Sequence, residues 1–178
     1  MKPLDFQQDL FRLFSLPIRF GIDSAKLDQR YRALQTQVHP DKFAHLSESE
    51  RRLSVQWATR VNEGYQTLRN PLNRARYLLS LHGVDTQEES NTSMPADFLM
   101  QQMEWREALE EAKQAKDSAA LEELERRMLH TKRNLEEKLA HDLDDTLDYA
   151  AASGIVRKLK FLDKFAEEIG SAFDELDS

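Results

Sequence analysis

Apolar residues recur at intervals of three and four along both halves of the chain, and no run alternates apolar with polar residues over the length of a strand. Positions with that spacing share one face of an α-helix, so the sequence predicts an all-α fold. Leu27, Tyr31, Leu34 and Val38 form one stripe, and Leu53, Trp57, Val61, Tyr65 and Leu68 form the next. A third runs through Leu72, Ala75, Leu78 and Leu79 to Gly83. Helix starts are marked locally: Asp23 can cap the first, Ser47 and Glu50 can form a capping box for the second, and Asn70-Pro71 can open the third. The first must stop near His39, because a residue preceding proline is pushed out of the α region. Two long helices therefore form a hairpin with HPDKF in the connection.

Beyond Gly83, VDTQEESNTSM is polar and aperiodic, and Pro95 can occupy the first turn of a new helix. Residues 84–94 thus read as a linker between a first unit, 1–83, and a second, 95–178. The second carries three helical stretches, roughly 95–113, 117–142 and 147–176. Their stripes are Phe98, Trp105, Leu109 and Ala112; Leu121, Leu124, Met128, Leu135 and Leu139; and Ile155, Leu159, Leu162, Ile169 and Phe173, which predicts a three-helix bundle. Charge divides at the same boundary. Residues 1–83 hold 13 Lys+Arg against 8 Asp+Glu, whereas residues 84–178 hold 12 against 24. Opposite net charges on two units suit two different partners.

Several function classes fall away. The chain has no cysteine, which excludes disulfides, thiolate metal sites and cysteine nucleophiles and fits a reducing compartment. No apolar run approaches a membrane span, so a cytoplasmic protein is expected. One half is acidic and the other lacks a dense basic stripe interleaved with aromatics, which argues against nucleic acid. A His–Asp pair such as His39 and Asp41 can support acid–base chemistry, but the proline between them is expected to hold the side chains apart, and no nucleophile motif accompanies them. Metal binding would need His39 and Asp41 to recruit another ligand such as His45, a spacing that fits no justified ligand motif. No catalytic residue, metal or cofactor is assigned. On these grounds alone His-Pro-Asp reads as a helix stop and a polar loop.

The stretch YRALQTQVHPDKF, followed by VNEGYQTLRNPLNRARYLL, resembles a J-domain, the module by which co-chaperones engage DnaK-class ATPases. His39, Pro40 and Asp41 match its signature loop, and Asn62, Tyr65 and Leu68 match its following helix. LFSLP, RARYLLSLHG, FLMQQMEWREALEEA and VRKLKFLDK, in that order, are similar to the HscB family of J-proteins, devoted to iron–sulfur cluster biogenesis; the likeness spans nearly the whole chain. The Gly/Phe-rich linker and cysteine repeats of general J-proteins are absent.

This resemblance implies a co-chaperone, not an enzyme: the loop docks on the DnaK-class chaperone HscA and promotes its ATP hydrolysis, so catalysis belongs to the partner. His39, Pro40, Asp41 and Lys42 would make the contact, with Lys26 and Arg30 on a solvent-facing side of the preceding helix and Arg32 on its other flank. Asp28, Ala33 and Gln37 make that helix less basic than is usual for the wider J-family.

In the first helix of the second unit, Leu99, Met100 and Met103 fall off the core stripe, beside Glu104, Glu107 and Glu111. An apolar group rimmed by carboxylates is a candidate interaction site. The residues alone slightly favour a covered, core-like role for it, under the third helix or the first unit. By resemblance this helix binds the iron–sulfur scaffold protein IscU through all six residues, with Phe161 of the third helix as a further contact and Met103 in place of a usual leucine. The expected protein is a monomer that presents IscU to HscA. A J-protein presenting a different client stays open as the alternative.

Overall fold

The computed structural model describes residues 5–45, 47–90 and 93–176. Among these the chain is all-α, as its periodicity predicts, with seven α-helices and one 3-10 turn. It divides into two compact units between His82 and Gly83.

In the first unit α1 (Leu10–Leu13), α2 (Ser24–Val38), the 3-10 turn (Pro40–Phe43), α3 (Glu48–Arg69) and α4 (Pro71–Leu81) follow in order. The caps are where the sequence places them. Asp23 accepts from the Lys26 N–H, Asn70 accepts from the Asn73 N–H, and Ser47 and Glu50 form a reciprocal capping box. Contacts at Val38–Ser54, Tyr31–Asn62 and Asp28–Tyr65 show α2 and α3 to be antiparallel. Leu27, Leu34 and Val38 of α2 are buried, as are Trp57, Val61, Tyr65 and Leu68 of α3 and Leu72, Ala75, Leu78 and Leu79 of α4.

Leu53 departs from its expected place on the inner face: it is 47% exposed. Ser54 lies level with the last residue of α2, so α3 outruns its partner and its first turns have no facing helix to cover them. The amino-terminal segment, to which the periodicity assigns no element, supplies much of the core instead, with Phe11, Phe14, Leu16 and Phe20 buried. α1 is a single turn and shows no helical stripe. It approaches α3 at Gly64, where a Cβ would meet Leu10 Cδ2 at 2.9 Å and Phe14 Cε2 at 3.0 Å.

The second unit is the three-helix bundle of α5 (Ala96–Ala115), α6 (Ser118–Asp144) and α7 (Tyr149–Leu176). Phe98 with Phe161, Arg106 with Glu168 and Lys113 with Glu175 pair in ascending order, so α5 and α7 run parallel, with α6 antiparallel between them in sequence. Trp105 stacks on Phe165 with ring centroids 5.8 Å apart, and both are buried. The expected stripes are buried, except that Leu135 and Phe173 are only partly covered. Part of the expected linker is not free: Arg157 of α7 donates to the Thr86 carbonyl at 3.0 Å, and Lys160 pairs with Glu89.

Candidate functional site

The His-Pro-Asp turn is built from its own atoms. His39 ends α2 with extended backbone, φ −58° and ψ 127°, as a residue before proline requires. Its ring then caps the 3-10 turn: Nδ1 accepts a hydrogen bond from the Asp41 N–H at 3.3 Å, and the Lys42 N–H returns to the His39 carbonyl at 3.0 Å. An accepting Nδ1 leaves the proton of a neutral imidazole on Nε2, which is then the donor available to a partner. The side chains of His39 and Asp41 are not held apart as expected, since Nδ1 and Asp41 Oδ2 lie 3.6 Å from each other. Their side chains are 57% and 91% exposed, so an ion pair between them would add little stability; the arrangement offers a ring held by its own turn and an exposed carboxylate.

Behind the turn is a support that the sequence did not disclose. Ser54 Oγ, buried on α3, donates to the Val38 carbonyl at 2.8 Å and so ties the end of α2 to α3 immediately before the turn. Farther back, Tyr31 and Tyr65 stack with centroids 3.9 Å apart, Tyr31 donates to Asn62, and Tyr65 donates to Asp28. The hydrogen bond to Asp28, helped by desolvation, raises the Tyr65 phenol above its ordinary pKa. Asn62 and Tyr65, noted as matches to the J-domain pattern, thus tie α3 to α2. Arg32, Gln35, Thr36, His39 and Lys42 line one shallow depression beside the turn. Lys26 and Arg30 are exposed on α2.

The second candidate site lies on α5. Leu99, Met100 and Met103 are 45%, 62% and 70% exposed, so the covered role favoured by the residues alone is corrected within the second unit: its third helix, α7, does not hide them. The reason is geometric. Phe98, Gln102, Trp105, Leu109 and Ala112 already turn a full stripe into the bundle, which leaves Leu99, Met100 and Met103 on the opposite side of the same helix. Glu104, Glu107 and Glu111 are exposed there, and among the described residues none of them enters an ion pair. The salt bridges of α5, Arg106–Glu168 and Lys113–Glu175, go to α7. Phe161 is partly buried and meets Phe98 edge-on at 6.5 Å, near the start of α5.

Among the described residues no group of three or more His, Cys, Asp or Glu is arranged to hold a metal ion, and no helix is long and apolar enough to cross a membrane.

Residues 94–170 match a family model described as the HSCB C-terminal oligomerisation domain. Over the whole chain, a "Co-chaperone protein HscB homolog" from Chromobacterium violaceum is 56% identical across 97% of both sequences. Another from Aromatoleum aromaticum is 51% identical across 98% of this chain and 99% of its own length. Among solved structures, the chaperone HscB from Vibrio cholerae aligns with a TM-score of 0.84 at 39% identity, covering 95% of this chain and 99% of that one. Human co-chaperone HscB aligns with a TM-score of 0.88 at 34% identity, covering 94% and 83%. Similar proteins matched along nearly their whole length are named as co-chaperones rather than as enzymes, and that is the class the fold and its helical hairpin fit. The chain belongs to the HscB family.

Proposed function

We propose that the protein is an adaptor of iron–sulfur cluster biogenesis: the second unit holds the scaffold IscU on α5, and the first presents the His-Pro-Asp turn to HscA and stimulates its ATP hydrolysis. The observation that carries this reading is the pairing of two exposed, chemically unlike surfaces on two separate units of one chain. The first is cationic beside a preorganised turn: Arg32 and Lys42 share a depression with His39, and Lys26 and Arg30 are exposed farther back on α2. A turn already capped by its own histidine loses little conformational freedom on docking. The second is an apolar group, Leu99, Met100 and Met103, rimmed by three carboxylates without ion-pair partners. That combination suits a client face with an apolar centre and basic surroundings; Phe161, which packs on the buried Phe98, is a further candidate contact by family resemblance.

Two variants test the division. His39→Gln should retain the helical circular dichroism signal and IscU affinity while losing stimulation of HscA. Replacing Leu99, Met100 and Met103 by alanine should weaken IscU binding by several kcal/mol, at roughly 1–2 for each central apolar contact, and preserve basal stimulation. Since the three are exposed, melting should stay near that of the parent protein. Normal stimulation by folded His39→Gln would refute the assignment of the turn, and unchanged IscU affinity in the triple variant would put the client elsewhere.

A further inference from the structure

The chain has five methionines, Met1, Met94, Met100, Met103 and Met128. Their environments differ sharply. Met128 is 1% exposed inside the bundle and Met94 is partly buried, whereas Met100 and Met103 stand 62% and 70% exposed, three residues apart on the free side of α5. They are two of the three apolar groups in the client face. There is no cysteine to consume an oxidant first.

We propose that Met100 and Met103 are a modification site: a peroxide oxidises both to sulfoxides and thereby releases the client from α5. The inference rests on the client reading of α5 given above. In each step the sulfur lone pair attacks one peroxide oxygen, the O–O bond breaks and a proton shift gives water; the sulfur loses two electrons and the peroxide gains them. A sulfoxide carries a strong dipole and accepts hydrogen bonds, so pressing it into an apolar pocket costs what the thioether did not. The oxidant class follows from the rim. Glu104, Glu107 and Glu111 disfavour an oxidant that is wholly anionic but leave uncharged hydrogen peroxide free to approach. The step is reversible, since a dithiol reductase returns the thioether with formation of a disulfide and water. The first unit, whose only methionine is Met1, keeps its His-Pro-Asp turn chemically untouched.

The test treats the full-length protein with hydrogen peroxide, follows each methionine by peptide mass mapping, and measures IscU affinity by calorimetry before oxidation, after it, and after methionine sulfoxide reductase. Met100 and Met103 should gain oxygen about tenfold or more faster than Met128, and affinity should fall about tenfold or more and return on reduction. In Met100→Leu/Met103→Leu, whatever its own starting affinity, peroxide should cause no further change. Oxidation of Met128 as fast as the exposed pair, equal affinity with both sulfoxides verified, or an equal loss in the leucine variant would overturn the proposal. Failure of untreated protein to bind IscU would refute the client reading itself, and the switch with it.

Discussion

Gly64 shows how a single residue sets the first unit. A Cβ there would press on Leu10 and on the fully buried Phe14, whose side chains bring α1 and its C-cap onto α3. Gly64→Ala should therefore destabilise the protein in spite of its better helix propensity, by roughly 1–3 kcal/mol for overpacking. Chemical denaturation would measure it, and a more stable alanine variant would mean that the amino-terminal contacts yield easily. His39 and Ser54 work at the same scale: one caps the turn, the other ties the carbonyl before it, and both hydrogen bonds join a side chain to a backbone group, which the spacing of apolar residues does not mark. For that reason the spacing of His39, Pro40 and Asp41 was legible in the sequence as a turn, while the inward bond of Ser54 and the 3.6 Å approach of Asp41 to His39 were not.

At the scale of the element, helix starts were readable because caps are local. Ser47 accepts from the Glu50 N–H while Glu50 accepts from the Ser47 N–H and hydroxyl, and these bonds hold the Glu50 carboxyl below the usual carboxylate range. A depressed folded pKa contributes stability that is present above the unfolded value and is lost as pH falls through the folded one. The difference in melting temperature between the parent protein and Glu50→Gln should accordingly narrow as the solution is acidified below the ordinary carboxylate range; a constant difference would remove the charge from the explanation. Faces depended instead on what the rest of the chain covers. Leu53 has the right spacing for the core but lies on the part of α3 that outruns α2, and the apolar group of α5 looked coverable until the bundle proved complete without it. The cationic face of α2 carries its own expectation. If Lys26, Arg30, Arg32 and Lys42 steer an acidic surface, the concentration for half-maximal HscA stimulation should rise severalfold, roughly, between low and moderately high salt. A titration series corrected for the effect of salt on HscA alone would measure this, and no shift would make the positive charge of the first unit incidental.

In the whole molecule, opposite charge, the break near Gly83 and two separate helical patterns made the two-unit organisation readable from the sequence. The attachment of Thr86 and Glu89 to α7 was not, because it joins polar residues 71 positions apart. The central claim is that one chain joins two surfaces, and it can be tested with full-length variants alone. HscA turnover would be measured with IscU at limiting adaptor concentration, using the parent protein, His39→Gln, the Leu99/Met100/Met103 alanine variant, and an equimolar mixture of the two variants. Scaffold held by His39→Gln is not linked to a working turn, and the working turn of the alanine variant holds no scaffold. The mixture should therefore stimulate no more than the alanine variant does by itself, well short of the parent protein. Restoration of the parent rate by the mixture would contradict the account, because the two surfaces would then act without being joined.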